Sequence, residues 1–426
     1  MIVAMVTTAS IFAGCAGTGN DASGSRGWVD GAPPRESSSG GGVSATTKAM
    51  EDSSMAASDV AVAPGAPMPP DTQVTSDPQS AALRAGSVDD NARWEDYLLY
   101  RQDFLRAGIE VHDVDVSGRR IVSVKNQAGR PVLGATVRLL VGDAVQAEAK
   151  THADGRAFLF PRSTSTDTGQ QQDPSSTRVV IEHGDARADL PVAGAGDVTV
   201  KLDGLSPNAR VALDIMFVID ATGSMADEIE QLKANIVSIS EQLEDLPTKP
   251  DVRFATTVFR DRGDAFVTRT FDFTNDVGAF QDALRAVEAG GGGDTPEAVN
   301  AAVSDAIHKP AWRGGDTVSL AFLVGDAAPH LDYPDDPDYA VEVFEAAKRG
   351  IKIEPIASSG LDAQGEYVFR QLAQLTGGRF SFLTYGAGGA GAPGDATTHH
   401  VKDYSVLSLD DLVVRLVGEE LAPVAS

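Results

Sequence analysis

Two apolar runs in the C-terminal half of the chain each end at an aspartate. Residues 213–219 are followed directly by Asp220, and residues 319–325 are followed by Asp326. Runs of seven mostly apolar residues with polar boundaries are typical of strands that are buried on both faces of a sheet. Such strands need helices on both sides, so these runs restrict this half of the chain to an α/β arrangement.

Residues 210–420 alternate between strand-like and helix-like patterns. The clearest helix repeats apolar residues every three or four positions from Met225 to Leu246, which gives one continuous apolar face. Because strands that alternate with helices pair in parallel, we predict a Rossmann-like, doubly wound, mostly parallel α/β sheet. Its strands are expected near residues 213–219, 252–259, 266–271, 318–325, 351–357 and 379–383.

Residues 109–205 show short alternating strands that are separated by turn signals. Residues 121–124 and 135–140 have strand-like patterns, and Asp154-Gly155 marks a turn. We therefore predict an all-β sandwich ahead of the α/β domain. The pattern Gly-x-Pro-Val-x-Gly-Ala-x-Val at residues 129–137 resembles carboxypeptidase regulatory-like, immunoglobulin-like sandwiches. This resemblance implies a spacer or interaction module without catalytic residues.

The first 15 residues resemble an export signal that ends at a lipid-modified cysteine. Residues 1–14 carry no charge and are almost wholly apolar or small, but they are too few to span a bilayer as a helix. Small residues directly before Cys15, the single cysteine, resemble the bacterial lipoprotein processing box and imply lipidation there. Phe12 and the lack of a preceding Lys or Arg depart from that pattern, so an ordinary cleaved signal is the alternative. Ala16 favours the outer membrane if the organism has one.

Two segments separate this signal from the predicted sandwich. Residues 16–90 are rich in Gly, Ser, Ala and Pro, a composition that cannot bury enough apolar surface to offset the entropy of ordering. They are predicted to be a disordered tether. Residues 91–108 are dense in aromatic and aliphatic side chains, and we expect a short helical or docking segment that packs on a following domain.

Oxygen-bearing side chains gather after the two apolar strands. Asp220, Thr222 and Ser224 alternate with small residues, and alternate side chains of an extended segment point the same way. The carboxyl ends of neighbouring strands also form the usual ligand site of an open α/β sheet, which adds Asp326. Four glycines allow the loop before Thr295 to bend toward the same point. Oxygen ligands without sulfur or imidazole predict Mg²⁺, or else Ca²⁺ or Mn²⁺.

These motifs, in this order, resemble the von Willebrand factor type A domain and its metal-ion-dependent adhesion site. The resemblance covers about 210 residues and implies that the metal ligands are Asp220, Thr222, Ser224, Thr295 and Asp326. Asp294 is a further candidate, because it precedes Thr295 and either residue could face the metal. In this family a partner's Asp or Glu fills an open coordination position, which implies a carboxylate-donating protein partner here.

Cation-dependent protein binding or adhesion at the cell envelope is therefore the expected function. The formal net charge of −26 disfavours nucleic acid as a partner. A Walker loop, a G-x-S-x-G elbow, an H-E-x-x-H motif and a reactive thiol are all absent from the sequence, so we expect no enzyme activity. An accessory subunit of an enzyme or ATPase-driven assembly complex is the alternative, and an unrecognised hydrolase is a third. Glu297 is assigned to a helix N-terminus, and His330 to the rim of the site.

Overall fold

The computed structural model describes residues 29–31, 83–161, 177–192, 196–202, 211–293, 295–358, 360–385 and 409–425. The predicted lipidation residue Cys15, the candidate ligand Asp294 and most of the predicted tether lie outside the described residues. Within these ranges, no helix is both long enough and apolar enough to cross a membrane.

Strands and helices are numbered along the described chain. The strands are β1 (Val29–Gly31), β2 (Leu83–Val88), β3 (Arg120–Lys125), β4 (Thr136–Val141), β5 (Ala144–Lys150), β6 (Arg156–Leu159), β7 (Thr177–His183), β8 (Ala186–Pro191), β9 (Val198–Lys201), β10 (Ala212–Asp220), β11 (Asp251–Phe259), β12 (Thr268–Thr274), β13 (Thr317–Gly325), β14 (Ile351–Ala357) and β15 (Phe380–Tyr385). The helices are α1 (Trp94–Ala107), α2 (Ala226–Glu244), α3 (Val277–Arg285), α4 (Val299–His308), α5 (Tyr339–Arg349), α6 (Ala363–Thr376) and α7 (Leu409–Leu421).

The largest sheet has the strand order β1-β12-β11-β10-β13-β14-β15-β2. Its five central strands pair in parallel, whereas β1, β12 and β2 pair antiparallel. This mostly parallel sheet with flanking helices confirms the predicted fold class. The antiparallel β12 follows from its short connection to β11, since a parallel strand would require a long crossover.

Strand β10 shows how one strand supplies both cores of this domain. Phe217 and Ile219 lie in a core that includes residues of α2, α3 and α7. Their neighbours Met216 and Val218 lie in a second core with residues of α4, α5 and α6. Alternate side chains of a strand point to opposite faces, so a continuous apolar run is what a sheet between two helical layers requires.

Two small sheets, β6-β3-β9 and β5-β4-β7-β8, lie in the segment that is predicted to be an all-β sandwich. They share one core, to which Val122 and Ala157 contribute from the first sheet and Val137 and Ile181 from the second. The similarity of this segment to carboxypeptidase regulatory-like domains stays a prediction.

The sandwich contacts the end of the large sheet where β13 and β14 begin. His183 approaches Asp316, the residue before β13, and Lys352 near the start of β14 forms an ion pair with Glu420 of α7. The backbone N–H of Ala153 in the sandwich also donates to Glu420, at 3.1 Å. The carboxyl ends of the parallel strands lie at the opposite end of the sheet, where loops follow them.

Residues before the sandwich complete the large domain. Strand β2 pairs antiparallel with β15 at the sheet edge, and α1 packs on α6, where the rings of Phe104 and Tyr367 stack with centroids 4.1 Å apart. Asp90 and Arg370 form a buried ion pair at 2.6 Å. The predicted tether of residues 16–90 is thus too long, because β1 and β2 form strands within it. Strand β2 pairs with β15 across almost 300 residues, so the local composition does not indicate that β2 forms a strand.

Candidate metal centre

Asp220 is the last residue of β10 and is fully buried. One of its carboxylate oxygens, Oδ1, accepts hydrogen bonds from the backbone N–H of Thr222 at 2.9 Å and from the Thr222 hydroxyl at 2.7 Å. The other oxygen, Oδ2, is buried and has no hydrogen-bond partner among the described residues. A buried carboxylate oxygen without a hydrogen-bond partner lowers the stability of the fold, so Asp220 Oδ2 is a candidate metal ligand.

The loop after β10 brings two hydroxyls next to this carboxylate. The Oγ1 atom of Thr222 lies 3.2 Å from the Oγ atom of Ser224. Thr222 is buried and Ser224 is exposed, so the group extends from the end of the strand toward the surface. A short turn of 3-10 helix, Gly223–Met225, then leads into α2 and fixes the loop at the helix N-terminus.

The glycine-rich loop is joined to the Asp220 loop by backbone hydrogen bonds. Gly290 donates to the carbonyl of Ala221 at 3.0 Å, and Gly223 donates to the carbonyl of Gly291 at 3.1 Å. Gly292 has a φ of +64°, and a Cβ atom there would lie 2.9 Å from the Cβ of Thr222. Glycine is required here by both conformation and space.

Asp326 lies directly after β13 and is half-buried. Its charge contributes to raised pKa values at both Asp220 and Glu297. The preceding residue, Gly325, is also close to Asp220, because a Cβ atom there would lie 3.6 Å from Asp220 Oδ2. Thr295 is exposed, and the described contacts include no hydrogen bond between its side chain and the other candidate ligands.

Glu297 is a site residue that the sequence reasoning missed. It lies before α4 rather than in its first turn, and it is only 3% exposed. Its backbone runs beside the loop after β13, with Glu297 N–H donating to the carbonyl of Ala328 at 3.0 Å. Its Oε1 atom would lie 3.2 Å from a Cβ atom at Gly292, and its Oε2 atom is buried without a partner among the described residues.

The pKa values of two of these carboxylates are raised. Burial raises the pKa of Asp220 to about 7, against the effect of its hydrogen bonds from Thr222. Burial, and then the charge of Asp220, raises the pKa of Glu297 to about 8. A divalent cation would reverse both shifts, since a nearby positive charge favours the ionised carboxylate.

The donor set fits a hard divalent cation that is held partly by hydroxyls. The buried Oδ2 atom of Asp220 and Oε2 atom of Glu297 lack partners in the part of the chain that the structure describes. The Thr222 hydroxyl donates to the other oxygen of Asp220, and the Ser224 hydroxyl lies 3.2 Å from that of Thr222. In the described ranges, no group of three or more His, Cys, Asp or Glu side chains that could hold a metal ion is found. The neutral hydroxyls of Thr222 and Ser224 would therefore have to contribute to the coordination of a cation at this place.

A cluster of polar side chains borders the site. His330 Nδ1 lies 2.7 Å from Asp332 Oδ1, and His330 Nε2 lies 3.4 Å from Asp261 Oδ2. The Tyr333 hydroxyl donates to the same Asp261 oxygen at 2.9 Å, and the ring of Tyr333 stacks on His330. Arg262 lies over the other side of this system, with its guanidinium 4.2 Å from the Tyr333 ring centroid. The backbone N–H of His330 donates to the carbonyl of Glu297 at 3.2 Å, and the rim position of the His330 side chain stays a prediction.

Residues 214–384 match the family described as the von Willebrand factor A domain. That range contains β10 to β15 together with the candidate ligands described above. The chain therefore contains a von Willebrand factor A domain at residues 214–384. The edge strands β1 and β2 of the large sheet and the two small sheets lie outside this range.

Several curated proteins are similar to part of this chain. Alpha-protein kinase vwkA of Dictyostelium discoideum is 32% identical over 133 residues, which cover 31% of this chain and 21% of that protein. The von Willebrand factor A domain-containing protein 7 of Rattus norvegicus and of Homo sapiens is 34% identical over 119 residues, 28% of this chain and 12% of each relative. The chain thus spans about a fifth or less of the length of these relatives.

Among solved structures, proximal thread matrix protein 1 from the mussel byssus matches with 17% identity and a TM-score of 0.31. The match covers 40% of this chain and 41% of the mussel protein.

Proposed function

We propose that this protein binds other proteins through a divalent cation held by its A domain, as a metal-ion-dependent adhesion site. The observation that carries the proposal is the fully buried Asp220, whose Oδ2 atom has no partner among the described residues and whose Oδ1 atom accepts from the Thr222 hydroxyl, which in turn lies 3.2 Å from that of Ser224. A structural aspartate at the end of a strand would have its oxygens satisfied by the protein.

The cation would be Mg²⁺, or Ca²⁺ or Mn²⁺, since its ligands are oxygens. It would supply a positive centre that an Asp or Glu of the partner can bind. This chain's own residues hold the cation and exclude water from its inner side. The residues that would hold it, some through water, are Asp220, Thr222, Ser224, Thr295, Asp326 and, added from the structure, Glu297, with Asp294 as a further candidate.

The proposed setting is the cell envelope. Lipidation at Cys15 would anchor the chain in a membrane, in the outer one if the organism has two, and the segment after it would hold the domains away from the surface. The sandwich contacts the end of the sheet that is opposite the cation site, so it would act as a spacer that presents the site outward. Incorporation of a labelled fatty acid, lost in Cys15→Ser, tests the anchor.

Binding of Mn²⁺ to the purified chain, followed by the loss of the free-ion electron paramagnetic resonance signal, tests the site. We expect one ion per chain and at least about a tenfold loss of affinity in Asp326→Ala, with an unchanged circular dichroism spectrum. Asp282→Ala, at an exposed carboxylate of α3, is the control. Envelope proteins that the wild-type chain retains should be released by a chelator and should not bind Asp326→Ala. Retention that is unaffected by a chelator contradicts the proposal.

A second candidate is a role as an accessory subunit of an enzyme or assembly complex. It is favoured by the similarity to a Dictyostelium protein that is named as a kinase. An enzyme that co-purifies with this chain, independently of divalent cations, would support this candidate over adhesion.

A further inference from the structure

The loop between β13 and α5 gives the surroundings of the cation site a strong negative charge. It carries Asp332, Asp335, Asp336 and Asp338, and it contains no Lys or Arg. Asp336 pairs with Arg262, and Asp338 accepts a hydrogen bond from the backbone N–H of the second residue of α5. Asp332 and Asp335 are exposed, with the Asp332 side chain 76% exposed.

The hairpin between β11 and β12, on the neighbouring side of the site, does not compensate for this charge. Asp261 is buried, and its Oδ1 atom has no hydrogen-bond partner among the described residues. Asp264 accepts a hydrogen bond from the backbone N–H of Gly292 at 3.1 Å. The hairpin also carries Arg260, which donates to the carbonyls of Ala221 and Glu288, and Arg262, which pairs with Asp336. These two positive charges only balance Asp261 and Asp264, so the hairpin adds no net positive charge to this rim.

One divalent cation cannot neutralise these groups. Its two positive charges balance two of the three site carboxylates, Asp220, Glu297 and Asp326. The third carboxylate and the acidic side chains of the rim then leave the loaded site anionic. A purely acidic partner segment would meet charge of its own sign at this rim, and like charges that face each other lower affinity and slow association.

We infer that the partner presents its cation-binding carboxylate within a basic surface, with Lys or Arg side chains that pair with Asp332 and Asp335. This inference rests on the proposed function and specifies the class of partner for the same site. The carboxylate supplies the contact with the cation, and the basic side chains offset the charge of the rim. Opposite charges placed in this way determine specificity and the association rate.

Three synthetic peptides of equal length, with one central Asp flanked by Lys, by Ser or by Glu, test the inference. Titration calorimetry with the purified full chain and Mg²⁺ should give the tightest binding for the Lys peptide, by about tenfold over the Ser peptide. The Glu peptide should bind most weakly. The preference should shrink as ionic strength rises, because the rim charges are exposed and salt screens them.

The double variant Asp332→Asn with Asp335→Asn should reduce the preference for Lys over Ser several-fold and leave binding of the Ser peptide nearly unchanged. The matched control changes two exposed carboxylates of the sandwich, Asp143→Asn with Asp185→Asn, and therefore alters the net charge equally. That control should keep the full preference.

The possible outcomes separate this inference from the proposed function. Equal Mg²⁺-dependent binding of the Lys and Ser peptides, or equal effects of the two double variants, overturns the basic-partner inference and leaves the cation-dependent function standing. Binding of the Lys peptide that persists with a chelator and in Asp326→Ala is simple charge attraction and overturns the inference. If none of the peptides binds in a Mg²⁺-dependent manner, both the function and the inference fail.

Discussion

Asp214 and Asp220 lie at the two ends of β10, and both are fully buried, yet the protein neutralises only the first. Asp214 accepts hydrogen bonds of 2.7–3.0 Å from the side chains of Arg253 and Arg313, and one of 2.8 Å from the backbone N–H of Arg313. The described hydrogen bonds to Asp220 come from Thr222 alone, and Asp220 Oδ2 accepts none.

This difference separates a structural carboxylate from a functional one. At the end where β10 begins, buried charges are matched within the chain, as in the Lys352–Glu420 ion pair beside the sandwich. At the other end, burial without a partner costs stability that the fold must supply elsewhere. Local rules of polar satisfaction are broken at functional sites more than elsewhere, so the comparison itself supports a cation site beside Asp220.

The largest expected effect on stability comes from Asp214→Ala, which removes the carboxylate that the two arginines neutralise. Removal of Asp214 leaves Arg253 without its carboxylate and Arg313 with Asp251 alone, at side chains that are 22–23% exposed. We expect a loss of about 3 kcal/mol in the free energy of unfolding. Chemical denaturation measures this. Cation affinity should change by less than twofold, because the metal centre lies at the other end of β10. A loss under about 1 kcal/mol would show that Asp214 is no more structural than an exposed carboxylate.

The second prediction concerns the stability of the cation-free protein as pH rises. The pKa of Asp220 is raised from 3.8 to about 7 in the folded chain, so the folded state binds this proton more tightly than the unfolded state. Stability should therefore fall as pH rises from about 4 to about 7, by on the order of 3 kcal/mol. Glu297, with its pKa raised to about 8, should extend the decline toward that pH.

Asp220→Asn tests the part of this loss of stability with rising pH that comes from Asp220. With a chelator present, denaturation curves between pH 5 and pH 8 should show a smaller slope for the variant than for the wild type, because the amide does not ionise. Mg²⁺ should stabilise the wild type at pH 8 and leave the variant unchanged. Identical pH profiles for the two proteins would mean that the ionisation of Asp220 does not contribute to the loss of stability.

Much of the fold could be predicted from the sequence because the central strands of the parallel core are mostly apolar. β10 and β13 are examples, since burial on both faces favours apolar residues along the whole strand. Strand β2 could not be predicted in this way. It pairs with β15 at the sheet edge, and strand formation there depends on a partner that is distant in sequence.

The site was predictable where its residues follow a strand and unpredictable where they depend on loop geometry. The positions of Asp220, Thr222 and Asp326 could be predicted because they follow from the strand ends. Glu297 was missed because an acidic residue next to Thr-Pro is also typical of a helix start, and α4 begins only at Val299. The sequence signal that could have indicated Glu297 was the glycine-rich loop, because glycines there allow the backbone to lie close to Thr222 and Glu297.

The third prediction, and the smallest in stability, tests that close approach. Gly292→Ala would place a Cβ atom 2.9 Å from the Cβ of Thr222 and 3.2 Å from Glu297 Oε1, at a φ of +64°. Gly129→Ala is the matched control, because its φ is +80° and nothing lies within 4 Å of the added atom. We expect about 1 kcal/mol of destabilisation from the backbone at either position, and about 1 kcal/mol more at Gly292.

The more informative measurement is the affinity for Mn²⁺. Displacement of Thr222 and Glu297 by Gly292→Ala moves two of the groups beside Asp220, so cation affinity should fall at least about tenfold, as it does when supporting residues of metal sites are changed. Gly129→Ala should bind the ion as the wild type does, although it pays a similar backbone cost. Equal affinities in the two variants would mean that the glycine-rich loop packs against the metal centre without shaping it, and Glu297 would then be removed from the proposed ligands.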